Sequence, residues 1–167
     1  MTDYRIPFEG LKQGKHSFQF KLTKEFFESF PFSQLEDAEI VADIELDKQT
    51  SMMVFYFDLS GELNTVCDRC GDEMKMPIDS SHRLIVKFGE ETGEYDDEIL
   101  IIGHKEHEVD LSQFLYEFAH LGIPLKITHE SEDDCNQDVM DKLDEMEEEE
   151  EEKTDPRWDK LKGIGKN

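Results

Sequence analysis

Positive charge is scarce in this chain: 18 Lys and Arg stand against 42 Asp and Glu, a formal net charge of −24 over 167 residues. A surface of that sign repels phosphate backbones and attracts basic proteins, so direct nucleic-acid binding would need a local basic patch. No dense patch is present. Lys12, Lys15, Lys21 and Lys24 come nearest, and they are spaced like ordinary solvated positions. Long apolar runs are also missing, which leaves no segment suited to span a membrane. The opening Met1-Thr2-Asp3-Tyr4-Arg5 has no basic stretch followed by an apolar one, so no secretory signal is expected. Cysteine is sparse. Three thiols, two of them in a C-x-x-C pair, do not make a disulfide framework and suit a reducing, cytoplasmic setting with a metal or redox role.

Recognisable catalytic patterns are lacking too. His104-Lys105-Glu106 has the H-x-E of zinc deaminases, but the cysteine pair precedes it and Val66 stands where the proline belongs. His107-Glu108 is not followed by x-x-His, so the metalloprotease motif fails. No Ser-His-Asp pattern, glycine-rich phosphate loop or paired-carboxylate motif stands out. The chain therefore reads as non-enzymatic.

What is present is unevenly distributed. Residues 130–155 hold 15 Asp or Glu against two Lys, Lys142 and Lys153, which leaves the first two thirds free to build a core. Tyr4–Phe8 and His16–Leu22 alternate like strands, and Thr23 could cap a short helix carrying Phe26, Phe27 and Phe30 that Pro31 would end. Ala38–Leu46 places Ile40, Ala42, Ile44 and Leu46 on one face; Met52–Leu59, Gly61–Val66 and Ser81–Phe88 continue the strand pattern. Connections this short point to an antiparallel meander. Glu90–Asp97 reads as an acidic loop and Glu98–Ile102 as a short strand. Asp110 then caps an expected helix, Leu111–Leu121, whose Leu111, Phe114, Leu115, Phe118 and Leu121 form an apolar stripe for the core or, less simply, for a partner groove. Gly122 and Pro124 stop it.

The expected fold is α+β: a mainly antiparallel β-sheet domain with one packed helix over residues 1–128, an acidic flexible segment over 129–154, and a short C-terminal helical motif over 155–167. The acidic run Glu147–Glu152 offers no apolar residue to offset chain entropy and reads as disordered or a frayed helix. In the last segment Asp155 would be the N-cap and Pro156 the first helical residue. Arg157, Trp158 and Leu161 are its candidate partner-binding residues, because Trp and Arg often dominate interface energies and Trp158 lies three residues before Leu161. The alternative is that Trp158 covers the protein's own domain.

Cys67-Asp68-Arg69-Cys70-Gly71 is the sharpest local signal. Two thiolates separated by two residues can grip one zinc ion from a tight turn, and the glycine relieves the backbone there. His129 and Cys135, in a loop-like stretch beyond the expected helix, would complete a site of three cysteines and one histidine, with zinc as the candidate cofactor. Unligated structural thiols are the bland alternative. A redox pair fits less well, since the motif does not open a helix in a βαβ unit; it would require a lowered Cys67 pKa. A metal-dependent enzyme at Cys67 and Cys70 would require an open coordination position and a nearby base.

Three features together resemble the YceD family, also named large ribosomal RNA subunit accumulation protein. They are Cys67-x-Arg69-Cys70-Gly71 after a β-rich half, the helix leading to Gly122-Ile123-Pro124-Leu125 with His129 and Cys135 downstream, and Asp155-Pro156-Arg157-Trp158-x-x-Leu161 after an acidic stretch. The resemblance covers most of the chain in order of elements. It implies a cytoplasmic, non-catalytic factor that supports large-subunit (23S) ribosomal RNA accumulation and ribosome assembly. The partners implied are ribosomal proteins or large-subunit assembly intermediates, with ribosomal RNA contacted indirectly. Some relatives carry more cysteines after the helix, in a pattern that suggests metal binding; this chain has Cys135 there, with His129 as the substitute.

Overall fold

Alternation of apolar and polar side chains builds most of the first half. The computed structural model describes residues 4–151 other than 32, 34, 36, 91, 92 and 97. In chain order the elements are β1 Arg5–Pro7, β2 Gly14–Leu22, α1 Lys24–Phe27, β3 Ala38–Lys48, β4 Met52–Val66, β5 Glu73–Gly89, β6 Gly93–Asp96, β7 Ile99–Gly103, β8 Glu108–Asp110, α2 Ser112–Leu121, a 3-10 turn at Glu132–Asp134, and α3 Gln137–Glu151. Six strands form one sheet in the order β2-β3-β4-β5-β7-β6, and β1 pairs with β8 separately.

The register follows from the pattern. Ala42, Ile44 and Leu46 of β3 lie opposite Leu59, Phe57 and Phe55 of β4, and all six are buried. A slip of one residue would turn both apolar sets to solvent, so burial fixes the pairing. Gly61, opposite Ile40, is required by close approach: a Cβ there would collide with the Glu39 carbonyl oxygen. Burying each Phe or Leu of this face contributes roughly 1.5–3 kcal/mol.

Helix α2 covers the inner face of the same unit. Phe118 meets Phe57 edge-on at 5.0 Å and stacks on His82 of β5 at 4.3 Å. Leu111, Phe114, Leu115 and Ala119 are buried with it, whereas Leu121, expected on the core stripe, is 69% exposed at the helix end. The helix begins at Ser112, with Leu111 in the N-cap position. Asp110 still serves the helix start, since its carboxylate accepts from the Ser112 backbone N–H at 2.9 Å.

Three expectations are corrected. Residues 93–96, read as loop, form strand β6, which pairs antiparallel with β7 at the sheet edge. The meander is not wholly antiparallel, because β7 pairs parallel with β5 from Ile85↔Ile99 to Gly89↔Gly103. The chain passes beyond the position of β7 to lay down β6, then turns back to fill the gap, so a parallel pair arises without a helical crossover. Strand β5 also starts at Glu73 rather than at Ser81.

Compactness divides the chain differently from composition. One unit comprises Met1–Thr65 with Lys75–Leu125, the other Val66–Met74 with Lys126–Asn167. The cysteine turn thus belongs with the later segment rather than with the strands on either side of it. Within 129–154 the described chain forms the 3-10 turn and α3. The expected C-terminal helical motif, 155–167, lies outside the described residues.

Candidate metal centre

The turn between β4 and β5 is closed by its own backbone. The Cys67 N–H donates to the Asp72 carbonyl and the Gly71 N–H to the Cys67 carbonyl, each at 2.8 Å. Gly71 has φ +79°, a conformation that costs a β-carbon residue and not glycine. Asp68 then ties in the later chain twice. Its backbone N–H donates to the Ile127 carbonyl at 2.7 Å, and its carboxylate accepts from the Ile127 N–H at 2.7 Å. This short ladder brings His129 to the turn.

The fourth residue arrives through a second local motif. Ser131 caps the 3-10 turn by accepting from the Asp133 N–H, and the Cys135 N–H closes it onto the Glu132 carbonyl at 3.1 Å. Asn136 links to the cysteine turn by donating to the Asp72 carboxylate at 3.3 Å, and its side-chain oxygen accepts from the Asp138 N–H at the start of α3. Cys67, Cys70 and Cys135 are buried, with Met74, Val139 and Met140 partly buried against them.

The structure brings together all four residues picked out by the spacing: Cys67, Cys70, His129 and Cys135 offer one ligand atom each, all within 4.8 Å of one another. His129 Nδ1 lies 3.7 Å from Cys70 Sγ and 3.6 Å from Cys135 Sγ. A tetrahedral ion with sulfur at about 2.3 Å and nitrogen at about 2.0 Å needs S···N edges of about 3.6 Å, which these two separations match. The three cysteines carry no disulfide.

The electrostatics separate the thiols. Burial pushes the Cys67 thiol up, but it is outweighed by hydrogen bonds from the backbone of Cys70, His129 and Arg69 and from the Cys70 side chain, which bring it down to about 6. Burial pushes the Cys135 thiol up despite the Arg69 guanidinium, which donates to its sulfur at 3.7 Å. Arg69 also pairs with Glu132 at 3.8 Å. Three thiolates around a divalent cation leave a net negative charge, which this guanidinium is placed to offset. Asp68 and Arg69, the two residues inside the C-x-x-C, were not assigned a role by spacing alone, since their partners lie far along the chain.

Other histidines and lysines are engaged elsewhere. His107 pairs with exposed Glu9, His104 stacks on Phe88, and His82 and His120 contact aromatic rings. Lys15 and Lys24 are engaged by Glu45 and Glu28. Arg157, Trp158 and Leu161 lie outside the described residues. No described helix is long and apolar enough to cross a membrane.

The model of one protein family, described as large ribosomal RNA subunit accumulation protein YceD, matches residues 55–165, more than half of the chain. That span includes all four clustered residues, Cys67, Cys70, His129 and Cys135. No curated protein and no solved structure matches.

Proposed function

Because the chain belongs to the YceD family, we propose that it is a non-enzymatic binding module that supports accumulation of large-subunit ribosomal RNA, acting on ribosomal proteins or assembly intermediates rather than on the RNA directly. The family supplies the process. The charge supplies the mode of action: a chain of net charge −24 favours a basic protein over a phosphate backbone. Such a surface would hold a basic ribosomal protein until RNA displaces it.

Within this reading the four-residue cluster holds zinc, and the ion's task is structural. Three sulfurs and one imidazole suit zinc. The observation that carries this is the donor geometry, four protein ligand atoms within 4.8 Å of one another. A site closed by four protein ligands keeps no position for a water or substrate, which argues against metal-dependent catalysis. The lowered Cys67 thiol would also suit thiol exchange, but with 1% exposure its sulfur is withheld from a partner disulfide.

The test is genetic and biochemical together. Cells lacking the protein should show a fall in mature large-subunit ribosomal RNA relative to small-subunit RNA, restored by the intact chain. Gentle affinity purification should recover large-subunit ribosomal proteins, and that recovery should survive ribonuclease. Unchanged ribosomal RNA ratios in the depleted cells would overturn the assignment of process. Recovery abolished by ribonuclease would overturn protein-mediated docking.

A further inference from the structure

Helix α3 is built with two different halves. At its start Val139 and Met140 lie against the buried thiols. Further along, Leu143 is 37% exposed and Met146 is 64% exposed. Val139, Leu143 and Met146 recur at spacings of four and three, so they share one helix face over about 10 Å. The apolar stripe that begins in the core therefore continues into solvent. The rest of the helix is acidic: α3 carries nine Asp or Glu and a single Lys, Lys142.

We propose that the Leu143–Met146 face of α3 is a docking surface for a basic protein segment that carries apolar anchor side chains at helical spacing. The proposal rests on the reading of this chain as a binding module and names the surface and the chemistry of its partner. Charge complementarity selects the partner. An apolar strip bordered by carboxylates attracts a strip bordered by lysines or arginines and repels another acidic chain or a nucleic acid. Anchoring follows from the strip itself, since Leu and Met provide an adaptable apolar surface for a partner's side chains. The acidic residues would raise the association rate and the strip would slow dissociation.

The test uses the full chain and two synthetic peptides of equal charge. One has lysine and leucine at amphipathic helical spacing; in the other every leucine is serine. Binding is followed by fluorescence anisotropy. The wild-type protein should bind the lysine–leucine peptide on the order of tenfold more tightly than the lysine–serine peptide. The double variant Leu143→Ser with Met146→Ser keeps the net charge and should bind both peptides alike, with unchanged helix content by circular dichroism. Met146→Leu should retain the preference. Equal peptide preference in wild type and double variant would overturn the proposal, because charge alone would then account for binding. Three other occupants give distinct results, each of which overturns it. Deletion of 155–167 would strengthen peptide binding if the chain's own end covered the strip. The double variant would abolish a concentration-dependent dimer if a second copy did so. Single-stranded RNA would displace the peptide if nucleic acid were the partner. A failure here leaves the ribosomal assignment standing, since that is read from RNA ratios in cells.

Discussion

The sheet unit and the cysteine unit achieve order by different means. In the first, Ala42, Ile44 and Leu46 face Leu59, Phe57 and Phe55, and Phe118 closes the layer, so large apolar side chains supply the burial. In the second, the buried cluster among the described residues consists of three cysteines, with Met74, Val139 and Met140 partly covering it. Fixing the backbone costs roughly 1–2 kcal/mol per residue, and three small buried side chains cannot offset that over the segments they join. A bound ion would, because it would cross-link Cys67 and Cys70 to His129 and Cys135 across 58 residues or more of intervening chain. The contrast teaches that one region is ordered by its own large apolar side chains, whereas the other, on the proposed reading, owes its order to a ligand.

The largest expected effect comes from removing the ligand set. The double variant Cys67→Ser with Cys70→Ser should lose order in 66–74 and 126–140 while 38–65 and 75–89 stay folded, seen as selective loss of amide protection by hydrogen exchange. Uniform loss would mean that the sheet also depends on the site. Next, Phe57→Ala should destabilise the sheet by about 3–5 kcal/mol, the usual cost of deleting a buried aromatic. Chemical denaturation measures this, and zinc stoichiometry should remain unchanged. A smaller effect, about 1–3 kcal/mol, is expected for Gly61→Ala, whose new methyl must displace the Glu39 carbonyl; a neutral result would show that β3 yields freely.

The smallest effect is a pH dependence confined to the sheet. Burial under the Phe118 ring lowers the His82 pKa below its ordinary 6.5, opposed in part by a hydrogen bond to the Phe118 backbone. A base with a depressed folded pKa binds more protons when unfolded. Its contribution is therefore present in full above about 6.5 and is lost as pH falls from there through the folded value. Melting temperature should fall slightly between pH 7.5 and pH 5, and His82→Leu should flatten that part of the profile. An unchanged slope in the variant would place the titration elsewhere.

The sheet was legible in the sequence where its two faces differ. The alternation in Ala38–Leu46 and Met52–Leu59 states which side chains are buried, and a period of two admits few registers. Strand β6 was not legible. Gly93-Glu94-Tyr95-Asp96 has no apolar alternation, and only backbone pairing to β7 defines it as a strand. That omission also hid the parallel β5–β7 pair, since local pattern says nothing about which strand fills a gap. The four-residue cluster was legible because cysteine is scarce and C-x-x-C fixes a turn. Arg69 and Asp68 were not, because their roles depend on Cys135, Glu132 and Ile127 arriving from another part of the chain. Leu121 misled because helical spacing continues to the last turn, where the neighbouring surface does not.

The central claim is that a bound metal orders the cysteine unit. Native mass spectrometry of the zinc-supplemented full chain, followed by hydrogen exchange before and after chelation, tests it most directly. The account predicts a mass increment of one zinc per chain and, on chelation, loss of protection in 66–74 and 126–140 with 38–65 unaffected. A chain that shows only the metal-free mass, with all three thiols titratable and the same protection in both states, would contradict it.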